Sequence, residues 1–239
     1  GPEGSLYFRG QYGQIGRIDP QGNLHLVLGL GPLVYPPDGS LAGVARSRAT
    51  DGYGHIAVSR DGTVYYDDFW NTGCTAGDYS CGTNFIRKVA SDGRIYTVAG
   101  YGGLLLGDDF FSPTNGWRGQ MGRKAGEALL SPIRALAVAP DGTLYVSTGA
   151  LGQYAVGGIF KITPEGTLGM VMNAVPIPNV GFEPYGDDGT NAATFATYYG
   201  AFAGPNSLQV ASDGSLAFAQ GYGLLGVLWR ITHRDTVLP

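Results

Sequence analysis

Few side chains in this sequence could carry chemistry beyond packing, and the acids come first. Asp67-Asp68, Asp108-Asp109 and Asp187-Asp188 are adjacent pairs, the last close to Asn191. Paired carboxylates with an amide are hard oxygen donors of the kind that hold Ca²⁺. Asp67-Asp68 follows a strand end and precedes Phe69-Trp70, which makes it the better candidate for a functional rim, although loop acids are most often simply solvated. The histidines are three: His25, His55 and His233. His25 alternates with apolar residues and reads as a surface residue, while His55 opens a strand expected near the centre of the fold. A catalytic metal needs several ligands converging from different elements, and this supply is thin, so neither a metal nor another cofactor is expected.

Cys74 and Cys81 enclose a Gly-, Thr-, Asp- and Tyr-rich loop. Seven residues is too wide for a CxxC redox or zinc pair and suits a local disulfide, which implies a compartment outside the cytosol. Two free buried thiols are the alternative. No Gly-x-Ser-x-Gly nucleophile elbow and no GxxxxGK[ST] phosphate loop is present. Gly100-Tyr-Gly-Gly103 is glycine-rich but follows an outer strand with no helix after it.

What remains is aromatic surface. Phe69, Trp70, Tyr79, Phe110, Phe111, Trp117, Phe182 and Tyr185 fall in long connections. Flat rings bury large area at low entropic cost and make good contact anchors. Each taken alone is more often packing for its own loop; as a set, and with Asp67 and Asp68, they mark a rim for a protein or glycan ligand.

Composition narrows the partners. Hydrophobic residues are 44% and charged residues 14%, which places the chain among globular proteins rather than disordered ones. Net charge is −4, and the 15 Lys and Arg are scattered, so no footprint for a phosphate backbone exists and nucleic acid is not an expected partner. No apolar run is long enough to span a membrane, and Gly1-Pro2 stands directly before a strand with no basic-then-apolar leader.

The elements that must position these residues are short strands in a repeat. His55–Tyr66, Ala135–Val146 and Ser207–Phe218 each read as apolar strand, Asp-Gly turn, apolar strand. Glu3–Phe8 is a fourth copy without its first strand. Each copy is followed by a second half: Ile15–Val27, Ile86–Val98, Ile159–Val171 and, truncated, Leu228–Thr232. Glycine in each turn supplies the positive φ that a tight hairpin needs. Each unit is thus a four-stranded antiparallel meander, and a meander cannot bury both of its faces alone. Copies must stack, and stacking around an axis gives a β-propeller. Helical periodicity is nearly absent; Arg123–Leu130 offers at most one turn before Ser131-Pro132.

These motifs resemble the NHL-repeat family. Thr83–Gly100, with Ile-Arg-Lys-Val, Asp-Gly and Ile-Tyr-Thr-Val-Ala-Gly in order, matches that family's closing half-blade, and its Gly/Asp-rich linker recurs at Asp38–Ala45, Gly122–Ala128 and Gly186–Ala193. Under this resemblance Asp187-Asp188 belongs to a structural linker turn. The long linkers are similar to those of teneurin propellers and of bacterial YD-repeat (Rhs-type) proteins, large secreted or surface polypeptides. Two departures stand out. The first-turn glycines Gly4, Gly62, Gly142 and Gly214 are 58, 80 and 72 residues apart, beyond the usual spacing of about 40–45. Family propellers close with about six blades, and this chain supplies four.

The expectation is therefore an all-β chain: one β-propeller domain or fragment over residues 1–239, part of a larger propeller of about six blades. The blades fall at approximately 1–30, 49–103, 128–173 and 200–239, joined by long loops. Function is expected to be non-catalytic, binding a protein or glycan or scaffolding within a secreted or cell-surface protein, with further blades from the same polypeptide or another copy as partners. The rival is a metal-dependent lactonase- or lyase-like propeller enzyme, a reading that rests on shared architecture alone.

Overall fold

The structure, a computed structural model, describes residues 1–10, 12–29, 31–32, 35–48, 54–71, 82–100, 120–130, 132–149, 158–173, 175–176, 196–197, 206–222 and 225–232. Within them the chain is β-strand and turn, with single 3-10 turns and no α-helix. Of the residues singled out above, Cys74, Cys81, Tyr79, Phe110, Phe111, Trp117, Phe182, Tyr185, His233, the pairs Asp108-Asp109 and Asp187-Asp188, and Asn191 lie outside the described residues.

Two compact units divide the chain, Gly1–Leu104 with Ala125–Leu130, and Leu105–Lys124 with Ser131–Pro239. The first holds two sheets. Strands β1 (Leu6–Arg9), β2 (Ile15–Ile18) and β3 (Leu24–Leu28) form one, in sequence order. Strands β4 (Ile56–Val58), β5 (Val64–Asn71), β6 (Gly82–Val89) and β7 (Ile95–Ala99) form the other, also in sequence order. The second unit repeats the plan with β8 (Ile133–Val138), β9 (Leu144–Thr148), β10 (Gly158–Ile162) and β11 (Leu168–Asn173). A short parallel pair follows, β12 (Val175–Pro176) with β13 (Ala196–Thr197), and then a three-stranded sheet of β14 (Ser207–Val210), β15 (Leu216–Tyr222) and β16 (Leu225–Ile231). All pairing inside the four larger sheets is antiparallel between sequence neighbours. These are β-propeller blades: two have the four-stranded meander expected of each unit, and the first and last show three of its strands among the described residues.

The turns explain why the copies are alike. In Ser59–Thr63 the Gly62 N–H donates to the Ser59 carbonyl at 3.0 Å, Ser59 N–H donates to Thr63 O at 3.0 Å, and Gly62 takes φ +87°. The Asp61 carboxylate accepts from Thr63 N–H at 3.0 Å, an Asx bond that sets the turn. The same side-chain bond recurs at Asp141 with Thr143 and at Asp213 with Ser215. The linkers recur as structure too. Gly39 N–H and Ser40 O bracket Ile95 in the first unit, just as Gly122 N–H and Arg123 O bracket Leu168 in the second. The single turn anticipated within Arg123–Leu130 is a 3-10 turn at Ala125–Glu127, matched by one at Ala42–Val44.

Each unit is held by a core laid between its two larger sheets. In the first, Ile15 and Leu28 pack with Val64, Tyr66, Val89 and Ile95. In the second, Tyr145, Ile159 and Val171 pack with Leu216 and Phe218.

The structure corrects one placement. Asp67, Asp68, Phe69 and Trp70 are not on a loop after a strand end. They continue β5, paired with Ile86, Phe85, Asn84 and Thr83 of β6, and all four are buried. The reason is the length of the β5–β6 hairpin: β-branched and aromatic residues sustain eight paired positions from Val64 to Asn71, so the acids are carried inward with the strand.

Candidate functional site

The chemically richest place among the described residues is where β5 meets the end of β1. Asp67 is buried at the middle of β5, and ion pairing brings Arg9 to it: Arg9 Nη1 lies 2.5 Å from Asp67 Oδ1 and 2.9 Å from the Asp67 carbonyl oxygen. Arg9 Nη2 donates to Ser47 Oγ at 2.9 Å, and Ser47 Oγ in turn donates to Gly13 O at 2.8 Å. His55 enters through its backbone, whose N–H donates to Asp67 Oδ1 at 2.5 Å; its ring Nδ1 stands 3.9 Å from the same oxygen. Arg9 and Asp67 belong to different sheets, so this buried pair is a clasp between the first two blades. Gly54 must be a glycine here, because a Cβ on it would lie 2.4 Å from the Arg9 guanidinium and its φ is +63°.

Asp68 points to the opposite side of β5, as strand alternation requires. Its Oδ1 accepts from Arg48 N–H at 2.9 Å, and its Oδ2 stands 3.7 Å from Arg87 Nη1, within ion-pair range but beyond a hydrogen bond. Burial pushes the Asp68 carboxyl up to about 6, against the opposing pull of the Arg48 N–H, the Trp70 side chain and the charges of Arg87 and Arg9. Arg87 is itself buried. It donates from Nη2 to Asp38 Oδ1 at 3.0 Å and lies 4.8 Å from the Tyr35 ring centroid, a cation–π contact. Tyr35, itself exposed, then meets the buried Trp70 edge-on at 5.7 Å, so Trp70 of the expected rim packs beneath a tyrosine rather than facing solvent. Asp38, in the first linker, also accepts from Thr97 N–H and Oγ1 at 3.0 and 2.8 Å.

Two further buried atoms are informative. Tyr66 Oη and His55 Nδ1 make no hydrogen bond among the described residues. Burial, ahead of the nearby Asp68 charge, raises the Tyr66 phenol far above its usual range, so it is a neutral hydroxyl at every physiological pH. An unpaired buried hydroxyl is a cost. Tyr66→Phe is therefore expected to raise the unfolding free energy by about 1 kcal/mol, as read from urea denaturation; a loss of stability would mean that the hydroxyl has a partner.

Chemically, this arrangement neutralises charge rather than presenting it. Each aspartate has a guanidinium within ion-pair range, and among the described residues no three His, Cys, Asp or Glu side chains gather where they could hold a metal ion. His25, read as a surface residue, is one: its Nε2 lies 2.8 Å from Asp19 Oδ2 at the β2–β3 turn. The residues that sequence reasoning missed are Arg9, Arg87, Asp38 and Ser47. Arg9 carried a signal. In the repeat, Gly4-Ser-Leu-Tyr-Phe-Arg9 aligns with Gly62-Thr-Val-Tyr-Tyr-Asp67, so opposite charges occupy equivalent positions in neighbouring blades.

No protein-family model matches the chain, and no curated protein does. Solved structures do match. One, a structural genomics protein of unknown function from Bacteroides thetaiotaomicron, is 17% identical over 90% of this chain and 42% of its own, with a TM-score of 0.51. A sialidase, Hadza microbial Hz136, is 12% identical over 98% of this chain and 43% of its own, with a TM-score of 0.48. A gluconolactonase from Xanthomonas campestris is 13% identical over 89% of this chain and 64% of its own, with a TM-score of 0.39. The chain thus spans about two fifths of the length of the first of these. At such identities the likeness concerns fold alone, and fold does not carry chemistry with it. Among the described residues no helix is long and apolar enough to cross a membrane.

Proposed function

We propose that this chain is a non-catalytic β-propeller module of the NHL-repeat kind, similar to those of teneurin-like and YD-repeat proteins, that scaffolds or binds a protein or glycan within a secreted or cell-surface protein. One observation carries the reading. Asp67 and Asp68, the acids best placed by sequence for chemistry, are buried in β5 and matched by Arg9 and Arg87, one of them across two sheets. Asp67 Oδ2 and Asp68 Oδ2 are buried with no hydrogen bond among the described residues, but Asp67 Oδ1, taken by the Arg9 guanidinium and the His55 N–H, is poorly available to a divalent cation. Its contribution is to cohesion between blades, as a scaffold requires. The Cys74 and Cys81 pair supports an extracellular setting, and the aromatics Tyr79, Phe110, Phe111, Trp117, Phe182 and Tyr185 remain the ligand-facing candidates.

The test is metal content. Elemental analysis of the purified chain, with thermal unfolding in added Ca²⁺, Mg²⁺, Mn²⁺ or Zn²⁺, is expected to find no stoichiometric ion and no rise in Tm. A stoichiometric ion that Asp67→Asn or Asp68→Asn removes would overturn this reading and turn the search to the metal-dependent alternative.

A further inference from the structure

Arg87 is fully buried, and its two terminal nitrogens face different carboxylates. Nη2 donates to Asp38 Oδ1 at 3.0 Å, on a linker side chain that is 51% exposed. Nη1 stands 3.7 Å from Asp68 Oδ2, on a side chain with no exposure. The first contact is a hydrogen bond and the second is not. Nη1 and Asp68 Oδ2 are both buried without a hydrogen bond, so an unused donor and an unused acceptor face one another. A movement of less than about 1 Å joins them. The Tyr35 ring, 4.8 Å from the guanidinium carbon, restricts the group to such a short path.

Which carboxylate holds the guanidinium depends on the charge of Asp68. An ionised carboxylate in a dry site draws a neighbouring cation strongly because no water screens it, and a neutral carboxyl does not. Asp68 changes charge near pH 6. Among the described residues, the charged and titratable groups that act on it are Arg87 of β6, Arg9 of β1 and, on its own strand, the neutral Tyr66 phenol. Arg9 is committed to Asp67 and Ser47, which leaves Arg87 as the cation free to respond. From the linker, Arg87 also faces Asp38 and Tyr35. Asp38 Oδ1 accepts from Thr97 N–H and Oγ1 as well, so with Arg87 bonded the linker carboxylate spans β6 and β7.

We infer that Arg87 is a pH-responsive latch between the first linker and the second blade: it bonds Asp38 while Asp68 is neutral and turns to Asp68 when that carboxyl is ionised. In acid the linker is tied to β6 through Arg87 and to β7 through Thr97. Toward neutral pH the guanidinium leaves for the buried charge, and the linker keeps only its bonds to Thr97. Asp38 and Asp68 thus compete for one cation, and the proton on the buried acid decides the outcome.

The experiment is a titration of the whole chain from about pH 7.5 to about pH 5, followed by NMR at the Asp68 carboxyl carbon and the Thr97 amide proton, and repeated for Asp68→Asn and Asp38→Ala. Thr97 N–H donates to Asp38 Oδ1 and so reports what else that oxygen holds. In the native chain both signals are expected to titrate together, with one midpoint near pH 6. The Thr97 titration is expected to be lost in Asp68→Asn, where the guanidinium stays with Asp38 throughout. It is expected to be lost in Asp38→Ala too, where no linker carboxylate remains to be released, although the Asp68 carboxyl still titrates there. Position 38 is exposed, so Asp38→Ala is expected to keep the native circular dichroism. A Thr97 signal that stays flat in the native chain while Asp68 titrates would overturn the inference. So would one that still titrates in Asp38→Ala, the signature of the Asp68 charge acting across space with Arg87 unmoved.

Discussion

Replacing Arg9 by methionine is expected to lower the unfolding free energy by about 3–5 kcal/mol, the range measured when one partner of a buried ion pair is removed. The side chain of Arg9 is 3% exposed, and so is that of Asp67. Methionine keeps much of the aliphatic volume, so packing changes little. What is lost is the counter-charge of a carboxylate that has no water to turn to, together with the bonds to Ser47 Oγ and the Asp67 carbonyl oxygen. Urea denaturation at neutral pH measures it. A loss below about 1 kcal/mol, the range of an exposed pair, would mean that the pair is solvated and holds nothing together.

The second large effect is a rise of stability with acid. The Asp68 carboxyl titrates near 6 in the folded chain and near 3.9 once unfolded. Between those values the folded state holds a proton that the unfolded state has released, so lowering the pH favours folding. The gain begins as pH falls through about 6, is complete near 4, and amounts to about 2–3 kcal/mol. Other shifted carboxyls act elsewhere. Hydrogen bonds hold Asp19, Asp61, Asp92, Glu165 and Asp213 below their usual range. Their stabilisation is present above the unfolded pKa and is lost progressively as pH falls from that value through the depressed ones, so it opposes the Asp68 gain only at the acid end of this window. Asp68→Asn is expected to be flat between pH 5 and 7 and at least as stable as the native chain at pH 7. A native profile that declines steadily from pH 7 to 5 would contradict the assignment.

These two aspartates also show what was legible in the sequence and what was not. The strand-turn-strand repeat was readable because its determinants are local: an Asp-Gly turn with the Asx bond of Asp61 to Thr63, flanked by alternating apolar residues. The linkers were readable for the same reason. The run Asp67-Asp68-Phe69-Trp70 misled because two adjacent carboxylates after an apolar strand look like a solvated turn. Their burial depends on Arg9, 58 positions before Asp67, and on Arg87, on the neighbouring strand. No window of sequence contains both partners of the first pair. Only the superposition of repeats, which sets Arg9 opposite Asp67, could have pointed to it.

If the acidic segment of β5 is a clasp between blades, Arg9 and Asp67 must be energetically coupled. A double-mutant cycle with Arg9→Met, Asp67→Asn and the pair, read by urea denaturation at pH 7, measures this directly. The expected coupling is about 1.5–3 kcal/mol, the double variant recovering part of what each single substitution loses. Losses that simply add, with coupling below about 0.5 kcal/mol, would show that the two residues act independently and would remove the structural role assigned to the site.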